Sequence, residues 1–410
     1  VTEHTPSDEL SADDHLRGGA PVRDDGGTPP PPDWNPRGPR VRRDPVAAYD
    51  ELRSRCPVAH GPDGAWTVFS HHDVMAVALD HTTYSNAVSR HLQVPNGMDG
   101  AEHSAYRAVV DRYFTPERVR AAEPVIRRVA TELVAAVDVP GPVDAVTVGA
   151  RFAVRAQSAW LGWPTSLEEE LLDWVEDNRS ATRSRDRART AAVAQRFTAI
   201  IRSLTDARRD AGDDAPDDVT TELVRDRVDG RPLTDEEIVS VLRNWTGGDL
   251  ASMALCAGVV LTYLADHPDL QARLRAGVPD RELDRVLDEI LRIDDPFVSN
   301  RRIATEPVTL GGRHVAAGDQ VIVNWTAANR DPRVFGDPDA FDPEANAPYN
   351  LVWGIGKHVC PGRPLATLEL RALTRAVLAA TTAVEPDPDR PRERERPPAG
   401  GFVSAPLLLR

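Results

Sequence analysis

A chain of 410 residues exceeds one ordinary small core, so it folds as a single large domain or as two domains sharing an interface. Its formal charge of -15 argues against nucleic acid or an anionic membrane as the main partner, and no uninterrupted apolar run reaches the ~18 residues of a bilayer span. Three widely separated cysteines, Cys56, Cys256 and Cys360, offer neither a disulfide framework nor a pair at zinc-ligand spacing.

The opening "VTEHTPSDELSADDHLRGG" is acidic and polar, unlike a secretory signal or a basic transit peptide, so a soluble, cytoplasmic protein is expected. "GGTPPPPDWNPRGPR" follows, and residues 1–43 read as a disordered or surface-draped arm, with the folded body spanning 44–410. "EHSAYR" sets His103 and Arg107 four apart on one helical face. "DNRSATRSRDRAR", residues 177–189, is rich in arginine and reads as a solvated helix face or as a surface for an acidic substrate or carrier.

A long helix is predicted to begin at "LTDEEIVSVLRNW". Thr234 is its N-cap, Glu237 completes a capping box, and Ile238, Val241, Leu242 and Trp245 form the buried face. His267-Pro268 ends it after some thirty residues. "DRELDRVLDEILRID" repeats Leu283, Val286, Leu287, Ile290 and Leu291 at helical spacing, with Glu289 and Arg292 at i, i+3. "VTLGGRHVAAGDQVIVNW" reads as a hairpin turning at Gly311-Gly312, with Val321 to Val323 as a buried strand. The fold class is therefore mainly α with a small β region.

"WGIGKHVCPG", residues 353–362, places Cys360 in a glycine-loosened loop beside Lys357, the only lysine of the chain. A thiolate needs positive surroundings and backbone N–H donors. Gly354, Gly356 and Gly362 let the backbone close on the sulfur, while Pro361 withholds one donor. Cys56 and Cys256 have no such setting and read as buried inert thiols.

The order of these stretches, with "RIATE" from Arg302, "AANRDP" at 327–332 and the cysteine loop, resembles the cytochrome P-450 superfamily of haem-thiolate monooxygenases from about residue 44 onward. The family's loop reads F-G-x-G-x-H/R-x-C-x-G, and this chain departs from it at Trp353. The resemblance implies a triangular helical prism with the long helix crossing a haem b held by Cys360. As an axial ligand a thiolate donates electron density and favours O–O cleavage. His103, Arg107, Arg302 and His358 are implied as partners of the haem propionates, and Glu289 with Arg292 as the buried pair under the loop. A small-molecule substrate of secondary metabolism is implied, with electrons from a ferredoxin and its separate ferredoxin reductase. Lys357, Arg363 and Arg371 are the charges available to steer that donor, and a monomer is expected. Substrate contacts are implied from the loop before His103, from Val298 to Asn300 and from Phe402-Val403.

Three departures matter. The family's A-G-x-D/E-T pentad, whose acid and threonine deliver protons at the haem, becomes T-G-G-D-L from Thr246 to Leu250. Asp249 keeps the acid, and Gly247 and Gly248 leave room for a widened turn, but Leu250 has no hydroxyl. Three routes stay open: Thr246 one turn earlier takes over the relay, a substrate group with water supplies it, or the chemistry is oxidative coupling, desaturation, rearrangement or peroxide-driven. A haem-binding sensor without turnover is the reading outside enzymes. Trp353 either fills the phenylalanine's space or donates its N–H to the sulfur or a carbonyl. Ala345 stands where the family places an arginine beside Glu289 and Arg292, so that pair must be satisfied differently.

Overall fold

The computed structural model describes residues 32–184, 186–397 and 399–410. The long helix runs from Asp235 to Asp266, and both halves of its capping box form: Thr234 accepts from the Glu237 amide, and Glu237 accepts from the Thr234 amide. Tyr106 and Arg231 also donate to the Glu237 carboxylate, pulling its pKa down to about 2 and fixing the helix start to the helix Gly100–Asp111. His267 ends the helix, as the following proline requires.

By length and composition this helix is apolar enough to span a membrane, yet most of it is buried as the core of the molecule. It crosses the helix Ala145–Leu161 at very short range. A Cβ on Gly149 would fall 2.5 Å from Ala257 Cβ, and one on Gly258 would fall 2.8 Å from Val146 Cγ2. Small residues therefore set this crossing, and bulk on either side would force the rods apart.

The helix Asp280–Ile293 buries the predicted stripe and leads into the strand Ser299–Ala304. That strand belongs to a five-stranded sheet ordered Val58–His60, Trp66–Val68, Gln320–Asn324, Ser299–Ala304, Tyr84–Ser85. The predicted hairpin is split. Val308–Leu310 pairs with Arg313–Val315 around Gly311-Gly312. Gln320–Asn324 instead joins the larger sheet, parallel to Trp66–Val68, because a turn closed by Asp319 N–H on the Ala316 carbonyl redirects the chain.

Of the expected N-terminal arm, residues 1–31 lie outside the described residues. From Asp33 the chain is tied to the body: its amide donates to the His60 carbonyl and its carboxylate pairs with Arg313 at 2.8 Å. Trp34 stacks edge-on against Phe69, and a helical turn already forms at Pro39–Arg43, ahead of the expected start of the body.

Candidate active site

A cavity of about 530 Å³ opens between the cysteine loop and the middle of the central helix, within the size range of small-molecule sites. Cys360, Gly354, His358 and Gly362 form one wall, and Gly248, Asp249, Ala251 and Ser252 form another.

The cysteine wall is built by local backbone geometry. Gly354 and Gly356 adopt φ of 71° and 73°, the left-handed region that a side chain resists, and a Cβ on Gly356 would also strike Leu79. These turns bring the Cys360 amide onto the Trp353 carbonyl at 2.9 Å and aim the amides of Gly362 and Arg363 at the sulfur. Burial pushes the thiol pKa up, while those two N–H groups and the Arg107 charge pull it down.

One edge of the cavity is electropositive. Arg302 is 6% exposed and donates to the Arg301 carbonyl, and burial lowers its pKa only to about 10, so it stays charged. His358 meets the Asn86 amide at 2.9 Å, and its ring lies 4.1 Å from that of His103. Burial and neighbouring positive groups depress His358 to about 3 and His103 to about 4, so both rings are neutral at pH 7. His103 and Arg107 lie behind the lining: His103 is buried with Nδ1 unpartnered, and Arg107 binds Asp111 and the Lys357 carbonyl. Of the four expected propionate partners, two reach the cavity and only Arg302 brings charge to its edge. A buried arginine with one carbonyl partner, an orphaned imidazole nitrogen and a buried thiol with two N–H donors fit a haem with its propionates at this edge.

The helical wall corrects the expected relay. The central helix is an uninterrupted α-helix here, without a widened turn. Gly247 faces Trp174 and Phe197 of the overlying helices, not the cavity, because one residue turns the helix by ~100°. Thr246 is buried and its hydroxyl donates back to the Leu242 carbonyl; neither it nor Leu250 lines the cavity. On this helical wall the hydroxyl that lines the cavity is Ser252, one turn beyond Gly248; Ser299 adds another from the sheet side.

Asp249 lines the cavity, while its Oδ2 is closed from solvent. Beside it lies Glu369, a fully buried carboxyl on the helix Arg363–Ala380 whose two oxygens have no hydrogen-bond partner among the described residues. Burial raises Asp249 to about 7, and burial beside the Asp249 charge raises Glu369 well above the carboxylate range. Two neighbouring buried carboxyls do not both ionise, so Glu369 keeps its proton.

The sequence profile of the Cytochrome P-450 family matches residues 172–409, more than half of the chain. The chain belongs to the cytochrome P-450 family. This P-450 is 32% identical over 339 residues to the cyclomarin C epoxidase CymV of Salinispora arenicola, spanning 78% of this chain and 84% of that one. It is 31% identical over 360 residues to the erythromycin C-12 hydroxylase of Saccharopolyspora erythraea, spanning 84% and 88%. The open structure of the P-450 EryK from S. erythraea superposes with a TM-score of 0.80 at 28% identity, over 89% of this chain and 95% of that one. The protein is thus an oxidoreductase of the monooxygenase type, and its family brings a haem-thiolate cofactor.

Where this P-450 departs from its family, the structure shows the replacements. Arg292 is fully buried; it binds both oxygens of Glu289 and donates to the carbonyls of Asn329, Pro338 and Ala340. Glu289 accepts in addition from the Asp342 amide and from Asn346 Nδ2 at 2.7 Å. A neutral amide one residue beyond Ala345 thus stands in for the missing cation. Trp353 points its N–H neither at the sulfur nor at a carbonyl but at Asp288 Oδ1, 2.7 Å away.

The expected steering charges of this P-450 are engaged internally: Lys357 on the Gly100 carbonyl, Arg363 on Asp288, and Arg371 on Asp284. Arg179 and Arg183 of the arginine-rich stretch converge on Glu395. Phe402 and Val403 do not line the cavity; their carbonyls accept from Arg179, and Ala399 lines it instead. Pro95, Asn96, Phe297, Val298 and Asn300 line it, mixing apolar and amide groups.

Proposed function

We propose that the protein oxidises a small organic molecule of secondary metabolism, using dioxygen and a haem b held through Cys360. The chemistry of two relatives, the cyclomarin C epoxidase and the erythromycin C-12 hydroxylase, supports that substrate class. Electrons are assigned to a ferredoxin and ferredoxin reductase, the donors that the family resemblance implies. The observation that carries the reading is the Cys360 thiol, aimed into a cavity whose edge holds buried Arg302 and whose far wall holds Asp249 and Ser252.

Haem, when bound, supplies the oxygen and one-electron chemistry that no side chain provides. The chain does the rest. Arg302 and His358 would hold the propionates, with His103 and Arg107 behind them. Glu369 stores a proton at the buried end of Asp249, and Asp249 presents its carboxyl to the cavity. Ser252 is three residues along the same helix from Asp249 and passes the proton onward as donor and acceptor.

Two measurements follow from this division of labour. Ser252→Ala should lower the rate of product formation about a hundredfold, the low end of what a positioned proton donor contributes, with more of the consumed electrons released as peroxide. Thr246→Val should leave both at the wild-type value, because the Thr246 hydroxyl is spent on its own helix.

The rate should also depend on Asp249, whose proton is lost near pH 7, so kcat should fall above about pH 7 and that limb should vanish in Asp249→Asn. Stability follows the same group with a defined sign. The folded pKa lies above the ordinary 3.8, so its contribution is complete below about 3.8 and gone once the pH passes about 7. Denaturation midpoints of the wild type should accordingly drop between about pH 4 and 7 more than those of Asp249→Asn.

The reading itself is tested by reconstitution. Purified protein must take up haem, give a thiolate-type band in its reduced carbon-monoxide adduct, and form oxidised product with a surrogate ferredoxin system. Haem uptake with a histidine-type band, or no product from any acceptor, would end it.

A further inference from the structure

The indole at Trp353 is the one departure in the cysteine loop, and its partner is a residue to which no role has been attached. Asp288 lies on the helix Asp280–Ile293, one position before Glu289 of the buried pair. Its Oδ1 accepts from Trp353 Nε1 at 2.7 Å and its Oδ2 from Arg363 Nη2 at 2.9 Å. Its backbone carbonyl accepts from Asn350 Nδ2 at 2.9 Å. Asp288 therefore grips residues before, within and after the loop that carries Cys360.

The two side chains it holds belong to two of the residues whose backbones touch Cys360, the third being Gly362. The Trp353 carbonyl accepts the Cys360 amide at 2.9 Å, and the Arg363 amide points at the sulfur. The Arg363 guanidinium also lies over the Trp353 ring, 6.0 Å from its centre, so indole, carboxylate and guanidinium form one closed unit. Phenylalanine at 353 has no N–H to offer such a carboxylate, so indole and acid work as a pair.

We propose that Asp288 is a positioning residue for the haem-ligating sulfur, acting through Trp353 and Arg363: it holds the indole N–H off the sulfur and fixes the two backbones that orient Cys360. This rests on Cys360 being the haem ligand. The carboxylate also places a negative charge beside the proximal loop, which favours the oxidised metal.

The test uses purified holoprotein carrying Asp288→Leu, Asp288→Asn, Trp353→Phe or the Leu/Phe pair. Two readouts are taken: the rate at which the reduced carbon-monoxide adduct converts from its thiolate-type band to a non-thiolate band, and the midpoint potential. Asp288→Leu and Trp353→Phe should each speed conversion roughly tenfold, the factor a charge-assisted hydrogen bond carries, and the double variant should be no faster than Asp288→Leu. Asp288→Asn keeps an oxygen for the indole and should hold the band, while its potential rises with the loss of charge.

Wild-type conversion and potential in Asp288→Leu, additive effects in the double variant, or Asn behaving as Leu would each overturn the proposal. Should Asp288→Leu not fold, wild-type conversion in Trp353→Phe overturns it alone. A wild type lacking the thiolate-type band would instead remove the ligand assignment on which it stands.

Discussion

Replacing Arg292 by alanine should destabilise the chain by about 3–5 kcal/mol, the cost of stranding one partner of a buried ion pair. Arg292 has no exposed surface, and Glu289 is 2% exposed. Its loss leaves Glu289 with the Asp342 amide and Asn346 alone, and frees the carbonyls of Asn329, Pro338 and Ala340 in a site water does not reach. Asn346→Ala removes one neutral donor from the same carboxylate and should cost about 1–2 kcal/mol. Urea unfolding of the two variants beside the wild type checks the ranking; an Arg292→Ala midpoint within error of Asn346→Ala would show that the pair is not the anchor of this region.

Cys360→Ala should abolish the thiolate-type band and bring turnover to background, while the apo chain unfolds within about 1–2 kcal/mol of the wild type. The separation follows from the contacts. The sulfur meets the amides of Gly362 and Arg363, but the loop is held by other bonds: Cys360 N–H on the Trp353 carbonyl, Gly354 N–H on the Leu351 carbonyl and the Leu351 amide on Asn329 Oδ1. Cys256→Ala is the control. Cys256 is 3% exposed and lies outside the cavity lining, and burial pushes its thiol far up, so it is protonated and inert. Spectra and activity should survive its loss. A Cys360→Ala protein with an unaltered band would place the ligand elsewhere.

The parts of this site that could be read in the sequence are those whose partners are close along the chain. The capping box at Thr234 and Glu237 spans one turn, Glu289 and Arg292 are i, i+3, and the cysteine loop is ten contiguous residues. The parts that escaped are tertiary. Nothing near Asp249 announces that Glu369, a buried carboxyl on another helix, will lie beside it and keep its proton. Nothing near Trp353 points to Asp288, and the compensation for Ala345 comes from Asn346, whose amide looks like any turn residue. Ser252 was within reach: counting one turn forward from Gly248 leads to it, whereas matching the pentad position by position led to Thr246 and Leu250. The four residues grouped by resemblance around the propionates also fall into two layers, a division that only packing decides.

The crossing of the central helix over Ala145–Leu161 has a mechanical consequence. Gly149 against Ala254 and Ala257, and Gly258 against Val146, seat the C-terminal half of the long rod at backbone-close range. Gly248, by contrast, has open space where a Cβ would be. The close crossing therefore fixes where the rod sits over the core, and the space left beside Gly248 belongs to the cavity, so a side chain placed there would narrow the room for a guest without prising the rods apart.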